Sequence, residues 1–199
     1  LPIFHIHGLF VACHMALLNV SSMLFLPKFD AASVIAQLPR ATVFMGVPTY
    51  YTRLLAEPAF GREACRNMRL FTCGSAPLLP QTFHEFRERT GHTILERYGM
   101  TETGMNTSNP LDGARRPGTV GPPLPGVQVR IVDKQDHDLP AGETGQLLVK
   151  GANVFKGYWR LPEKTAEEFS ADGFFRTGDL ARRDANGYIS IVGRTKDLI

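Results

Sequence analysis

Along the first 110 positions, apolar residues come in short blocks separated by segments in which they recur every three or four places. The blocks SMLFLP (22–27), TVFMGV (42–47), RLFTC (69–73) and TILE (93–96) have the length and composition of strands buried on both faces. Between them, 31–38, 48–57 and 80–90 read as helices, the last two opened by Pro48 and Pro80 at first-turn positions. On the 80–90 helix Phe83 and Phe86 share a face, and Glu85 is placed to pair with Arg89 one turn on. Strand–helix alternation of this kind predicts an α/β fold with a mainly parallel sheet.

From residue 118 to 192 the texture changes. VQVRIVD (127–133), GQLLVKG (145–151) and YISIVG (188–193) are short strands between Gly, Pro, Asp and Asn turns, and DANG (184–187) is a turn with Gly187 available for positive φ. This half is expected to be a smaller antiparallel, β-barrel-like subdomain. The Gly- and Pro-dense RRPGTVGPPLPG (115–126) is the join, which divides the chain into 1–114 and 115–199.

Composition narrows the class. Of 199 residues 43% are apolar and 21% charged, which is the balance of a globular protein with a real core. A net charge of +3, with only Arg115–Arg116 as a local basic cluster, gives no nucleic-acid footprint. No apolar run has the ~18–20 residues of a membrane span. Three cysteines without CxxC spacing, one of them (Cys73) inside an apolar run, read as buried thiols in a reducing compartment. The expected location is cytoplasmic, with the mitochondrial matrix as a second option; no oligomeric state is implied. The apolar ends, LPIF and DLI, look like cuts through a larger protein.

Ligands of open α/β sheets bind beyond the carboxyl ends of the strands. Three loops follow predicted strands: GVPTYYTR (46–53), CGSAPL (73–78) and ERYGMTET (96–103). Gly74, Ser75 and Ala76 carry little bulk, so backbone can approach a flat ring or a phosphate there, although a plain turn explains them as well. In the third loop Thr101 can donate to an anionic oxygen, Glu102 is a hard ligand suited to Mg²⁺, and Tyr98 offers a face for stacking. A polar surface turn is the alternative.

YGMTE, GYW (157–159), DGFFRTGDL (172–180) and GRTKDLI (193–199) occur in the order and spacing of the adenylate-forming enzymes, and across the whole chain the sequence resembles that superfamily of acyl-CoA synthetases, luciferases and adenylation domains. The resemblance implies ATP, Mg²⁺ and coenzyme A as cofactor and co-substrates. It implies that Thr101 contacts the α-phosphate and that Glu102 holds the metal. Tyr98 would stack on adenine, with Gly74, Ser75, Ala76 and the Glu96–Arg97 backbone lining the same slot and Met100 beside it. Gly99 would let the backbone pass close to the nucleotide. Asp179 would accept both ribose hydroxyls, Arg194 would bind ribose or phosphate oxygens, and Lys196 would fall at an interdomain hinge.

LPIFHIHGLF, MGVPTYYTRLL and NVFKGYWRLPEKTAEEF look like malonyl-CoA synthetases in particular. A fatty-acid tunnel would exclude charge, whereas Arg53, one turn into the segment after FMGVP, could grip the second carboxylate of malonate or methylmalonate bidentately. Arg53 snorkelling to solvent is the alternative. His7 matches a histidine on the acyl and phosphate side of the pocket, where Ser75 and Met100 would also meet the substrate. His5, His7, Cys13 and His14 fit no common zinc spacing, and His84 and His137 read as surface residues. The rival readings are a ligase for another short-chain or aryl acid and a non-catalytic nucleotide-binding module. The family's phosphate-cradling loop is expected upstream of Leu1 and its small lysine-bearing domain beyond Ile199. The 199-residue chain alone is therefore expected to be inactive: malonate, ATP and Mg²⁺ added to it should release no pyrophosphate in a coupled assay, and measurable release would contradict the expectation.

Overall fold

The computed structural model describes residues 1–195, which form two compact units: residues 1–97 with 110–118, and residues 98–109 with 119–195. Among the described residues no helix is long and apolar enough to cross a membrane.

In the first unit, a π-helical turn His7–Cys13 runs into α1 (His14–Leu18), followed by α2 (Ala31–Gln37), β1 (Val43–Gly46), α3 (Pro48–Leu55), β2 (Leu70–Cys73), α4 (Pro80–Thr90) and β3 (Ile94–Met100). β1, β2 and β3 are parallel neighbours, with Phe44 opposite Phe71 and Phe71 opposite Ile94. Cys73 pairs with Gly46 on one side and Glu96 on the other, so β1 and β2 end level with each other while β3 runs four residues further, to Met100.

Helix phase explains the core. α3 buries Tyr51, Leu54 and Leu55, spaced as one face, and α4 buries Phe83 and Phe86. Phe86 meets Phe71 edge-on at 4.9 Å and Tyr51 at 5.4 Å. The buried Tyr51 hydroxyl donates to the Thr72 carbonyl at 2.6 Å, which ties α3 to the middle strand. α4 ends on Gly91 at φ +79°.

Three expectations need correction here. The run 22–27 forms no strand; Leu26 packs on the core, but Phe25 and Leu24 are exposed and no described neighbour pairs with the segment. An apolar extended run becomes a strand only where another offers it a ladder. Arg89 does not pair with Glu85. Its Nε donates to the Phe60 carbonyl at 2.7 Å and its two Nη groups to the carbonyls of Leu55 and Glu57, so it closes the C-terminal end of α3. TILE is only the start of β3, which continues through Met100.

The second unit takes the end of β3, turns at residues 101–103 and returns as β4 (Gly104–Ser108). It continues with β5 (Gln128–Val132), β6 (Thr144–Lys150), α5 (Pro162–Glu167), β7 (Phe175–Arg183) and β8 (Ile189–Arg194). β5 to β8 form an antiparallel sheet in sequence order, open rather than closed among the described residues, so the barrel-like expectation resolves to an open sheet. Val129, Ile131, Leu147, Val149, Ala181 and Ile189 make its core. β7 was hidden in the sequence by the polar motif that it carries.

Arg89→Ala should destabilise the chain by about 2–3 kcal/mol, because three carbonyls lose a charged donor, and Arg89→Lys should recover part of the loss. Urea unfolding followed by far-UV circular dichroism measures both.

Candidate active site

The first unit gathers His7, Gly74, Ser75 and Arg97. His7 is buried, and its Nδ1 lies 3.0 Å from the Ser75 hydroxyl. Ser75 takes a left-handed φ of +68°, which turns the chain sharply after β2. A Cβ on Gly74 would stand 3.4 Å from both the Arg97 carbonyl and the His7 ring, so a larger residue would crowd this junction. Ala76 is exposed on the same loop. Burial, reinforced by the Arg97 charge, lowers the His7 pKa to about 4, so the ring is neutral at physiological pH. Its Nε2 is buried without a partner.

Arg97 is more than the backbone contributor expected. Its Nη2 donates to Thr72 Oγ1 at 3.1 Å and approaches Met45 Sδ at 3.9 Å, while its Nε is buried without a partner. No carboxylate stands within ion-pair reach of it among the described residues. Leaving a guanidinium in such a place is costly, and an anionic ligand would offset that cost. The hydropathy pattern gave no sign of this, because strand alternation alone does not say which polar side chain lacks a partner. Arg53, by contrast, is exposed at the end of α3 with its guanidinium 4.9 Å from the centre of the Phe29 ring, which stacks on Tyr50.

Glu96 points elsewhere. Its carboxyl is buried and accepts the backbone N–H groups of Leu78 and Gly118, which fasten the 74–78 loop and the 115–118 segment to β3. Burial raises its pKa to about 7 despite those two donors.

In the second unit, Tyr98, Asp179 and Arg194 come together. Asp179 is not in a surface turn; it lies in β7 at 4% exposure, opposite Arg194 of β8. Its Oδ2 accepts the Tyr98 hydroxyl at 2.5 Å and its Oδ1 accepts Arg194 Nε at 3.1 Å. Burial, then the Asp179 charge, holds the Tyr98 hydroxyl far above its ordinary pKa, so it stays a donor. An ionised carboxylate has about four acceptor sites, so Asp179 keeps capacity for further hydroxyls.

The turn after β3 presents Thr101, exposed, and Glu102, half-buried. Tyr158 donates its hydroxyl to Glu102 Oε1 at 3.1 Å, and the Phe155 N–H donates to the Glu102 carbonyl at 2.8 Å. Asn153 Nδ2 donates to the Thr103 carbonyl at 2.8 Å and to Asn106 Oδ1 at 3.0 Å. In the sequence this bracing segment stands out only within NVFKGYWRLPEKTAEEF and its GYW, and without a role. At Gly99 a Cβ would lie 2.0 Å from the Gly104 carbonyl oxygen across the hairpin. Met100 Sδ lies 3.9 Å from the Tyr98 hydroxyl. Lys196 lies outside the described residues. Among those residues no three His, Cys, Asp or Glu side chains cluster as a metal cage. One half-buried carboxylate on a turn is instead the mode in which Mg²⁺ arrives with substrate phosphates.

A buried carboxylate with acceptor capacity in reserve suits a ligand rich in hydroxyls, and a turn with a hydroxyl and an acid suits a metal-bound phosphate. That chemistry agrees with the family match: residues 1–159 fit the AMP-binding enzymes, and the chain belongs to that family. Within it, the chain is 44% identical to the malonate–CoA ligase of Arabidopsis thaliana over 98% of its own length and 35% of that protein's. It superposes on ATP-bound MatB from Rhodopseudomonas palustris with a TM-score of 0.98 and 58% identity, covering 100% of this chain and 40% of that one. A malonyl-CoA ligase solved as a ternary product complex with methylmalonyl-CoA and AMP gives 0.89 and 43%, covering 98% and 43% of the two chains. The chain thus spans 35–43% of the length of these relatives.

Two groups of the first unit whose shifts fall between pH 4 and about 7 act on stability in opposite directions. Between pH 4.5 and about 7 folded Glu96 keeps a proton that the unfolded chain has released, so stability falls as pH rises through that window. Between about 4 and 6.5 folded His7 stays neutral where the unfolded chain binds a proton, so its contribution rises with pH. Glu96→Gln removes the first effect. Relative to the parent, the variant should gain about 2–3 kcal/mol between about pH 4 and about pH 8, measured by urea unfolding at each pH. A difference independent of pH would contradict the assignment.

Proposed function

We propose that this chain is part of an ATP-dependent acid–CoA ligase that activates a small dicarboxylate, malonate or methylmalonate. The likeness to ATP-bound MatB, across the whole chain, carries the reading. The Arg97 guanidinium, which meets no carboxylate among the described residues, supports it, because an acid substrate is the kind of ligand that such a charge favours.

In this reading a carboxylate oxygen bonds to the α-phosphorus of ATP as the bond to the bridging oxygen breaks and pyrophosphate leaves. The thiolate of coenzyme A, its proton lost to solvent, then bonds to the acyl carbon, and AMP departs with the electrons of the broken C–O bond. The chain's own contribution is positioning and charge neutralisation. In the first unit Gly74, Ser75, Ala76 and the Glu96–Arg97 backbone would line the nucleotide, and His7, Ser75 and Arg53 would meet the acid. In the second, Tyr98, with Gly99 and Met100, would flank the adenine. Asp179 would take the ribose hydroxyls, Arg194 the ribose or phosphate oxygens, and Thr101 the α-phosphate. Mg²⁺, when bound with ATP, would neutralise phosphate charge, and Glu102 is the residue that would hold it. Lys196 would serve a hinge. The free thiols fit a reducing compartment, cytoplasmic or the mitochondrial matrix.

A panel of acids offered to the full-length enzyme tests the substrate. Malonate and methylmalonate should give thioester at least about tenfold more efficiently than acetate, propionate or benzoate. Arg53→Ala should lower kcat/KM for malonate about a hundredfold while leaving the KM for ATP in place. Equal losses on both substrates would argue that Arg53 serves the fold, and a panel led by acetate or benzoate would overturn the dicarboxylate reading.

A further inference from the structure

GYW is the one motif of the chain to which neither the resemblance nor the reading above gives a task, and its tyrosine is in contact with the turn acid. We propose that Tyr158 is a positioning residue for Glu102, its hydroxyl holding the carboxylate in the orientation that receives the metal of a metal–nucleotide complex. The proposal rests on the reading that Glu102 faces that metal.

Glu102 sits in a three-residue turn between β3 and β4, half-buried and on a flexible side chain. Left to itself such a carboxylate samples many rotamers, and ordering it on metal binding would cost conformational entropy. The contacts around it remove that freedom in advance. The Phe155 N–H holds its carbonyl at 2.8 Å and the Tyr158 hydroxyl holds Oε1 at 3.1 Å, so backbone and side-chain tip are both tethered. Among the described residues no donor is seen on Oε2, so that oxygen is free to face a ligand.

The tether is itself anchored. The Tyr158 N–H donates to Thr165 Oγ1 at 2.9 Å, and that hydroxyl donates to the Leu161 carbonyl at 2.8 Å. The Tyr158 ring meets Phe155 edge-on at 4.8 Å, and the Lys164 ammonium stands 5.1 Å from its centre. Gly157 makes the approach possible: its φ is +145°, and a Cβ there would fall 2.5 Å from Thr165 Cγ2. A rigid, anchored donor aimed at one oxygen of a ligating carboxylate is the arrangement by which outer groups orient metal ligands.

The test is Tyr158→Phe in the full-length protein, with Glu102→Gln as reference. The readouts are calorimetric binding of ATP over a Mg²⁺ titration and of AMP without metal. Tyr158→Phe should raise the Mg²⁺ concentration for half-maximal ATP binding about tenfold and leave AMP affinity unchanged. An unaltered Mg²⁺ requirement would overturn the proposal, and so would a parallel loss of AMP affinity, which would make Tyr158 a support of the fold. If Glu102→Gln leaves the Mg²⁺ dependence of the parent intact, the metal assignment of Glu102 fails instead.

Discussion

The hairpin of β3 and β4 depends on the absence of one carbon atom. Any side chain at residue 99 would bring its Cβ to 2.0 Å from the Gly104 carbonyl oxygen, well inside contact distance. Because residue 99 is glycine, the two strands close, and the turn between them holds Thr101 and Glu102 in fixed places. One residue earlier, the same strand carries Tyr98 to Asp179. A single close approach therefore sets both the acid that Tyr98 holds and the acid that Tyr158 holds.

What was legible in the sequence follows from which constraints are local. The parallel strands β1 and β2 are short apolar runs bounded by breakers, and helices α3 and α4 begin at prolines and carry one apolar face, so pattern and structure agree. The run at 22–27 has the same apolar content, but pairing is a property of two segments, and one segment cannot announce its partner. β7 was missed for the opposite reason. Its Thr177, Gly178, Asp179 and Arg182 interrupt any apolar run, yet alternation buries Phe175, Thr177, Asp179 and Ala181 on one side. A buried aspartate in that alternation looks like a turn residue until its two partners are seen.

Within the candidate site, the sequence names residues, whereas the surroundings of their side chains need the structure. The resemblance assigns Glu96 and Arg97 only as backbone lining, and the sequence does not tell the environment of a strand's side chains. The structure gives each a distinct burden: Glu96 is a buried acid serving two backbone donors, and Arg97 is a half-buried cation with one hydroxyl partner. They are neighbours on β3 and, by strand alternation, face opposite ways. Neither therefore neutralises the other, although they are adjacent in sequence and opposite in charge.

Tyr98 shows why such roles cannot be taken one residue at a time. Stacking asks only for an aromatic face, and phenylalanine would serve that. The hydroxyl has a separate task, donating to Asp179 Oδ2 at 2.5 Å while Arg194 holds Oδ1 at 3.1 Å. A carboxylate gripped at both oxygens from two sides cannot rotate freely, and its remaining lone pairs are directed. In the proposed reading, the ring that would offer a face to a flat ligand also fixes the acid that would accept that ligand's hydroxyls. Tyr158 repeats the device at Glu102, with the ring anchored and the hydroxyl on one oxygen. In both cases the fold places a rigid donor on a carboxylate before any ligand is bound, so the entropic cost of ordering the acid is met during folding rather than at binding.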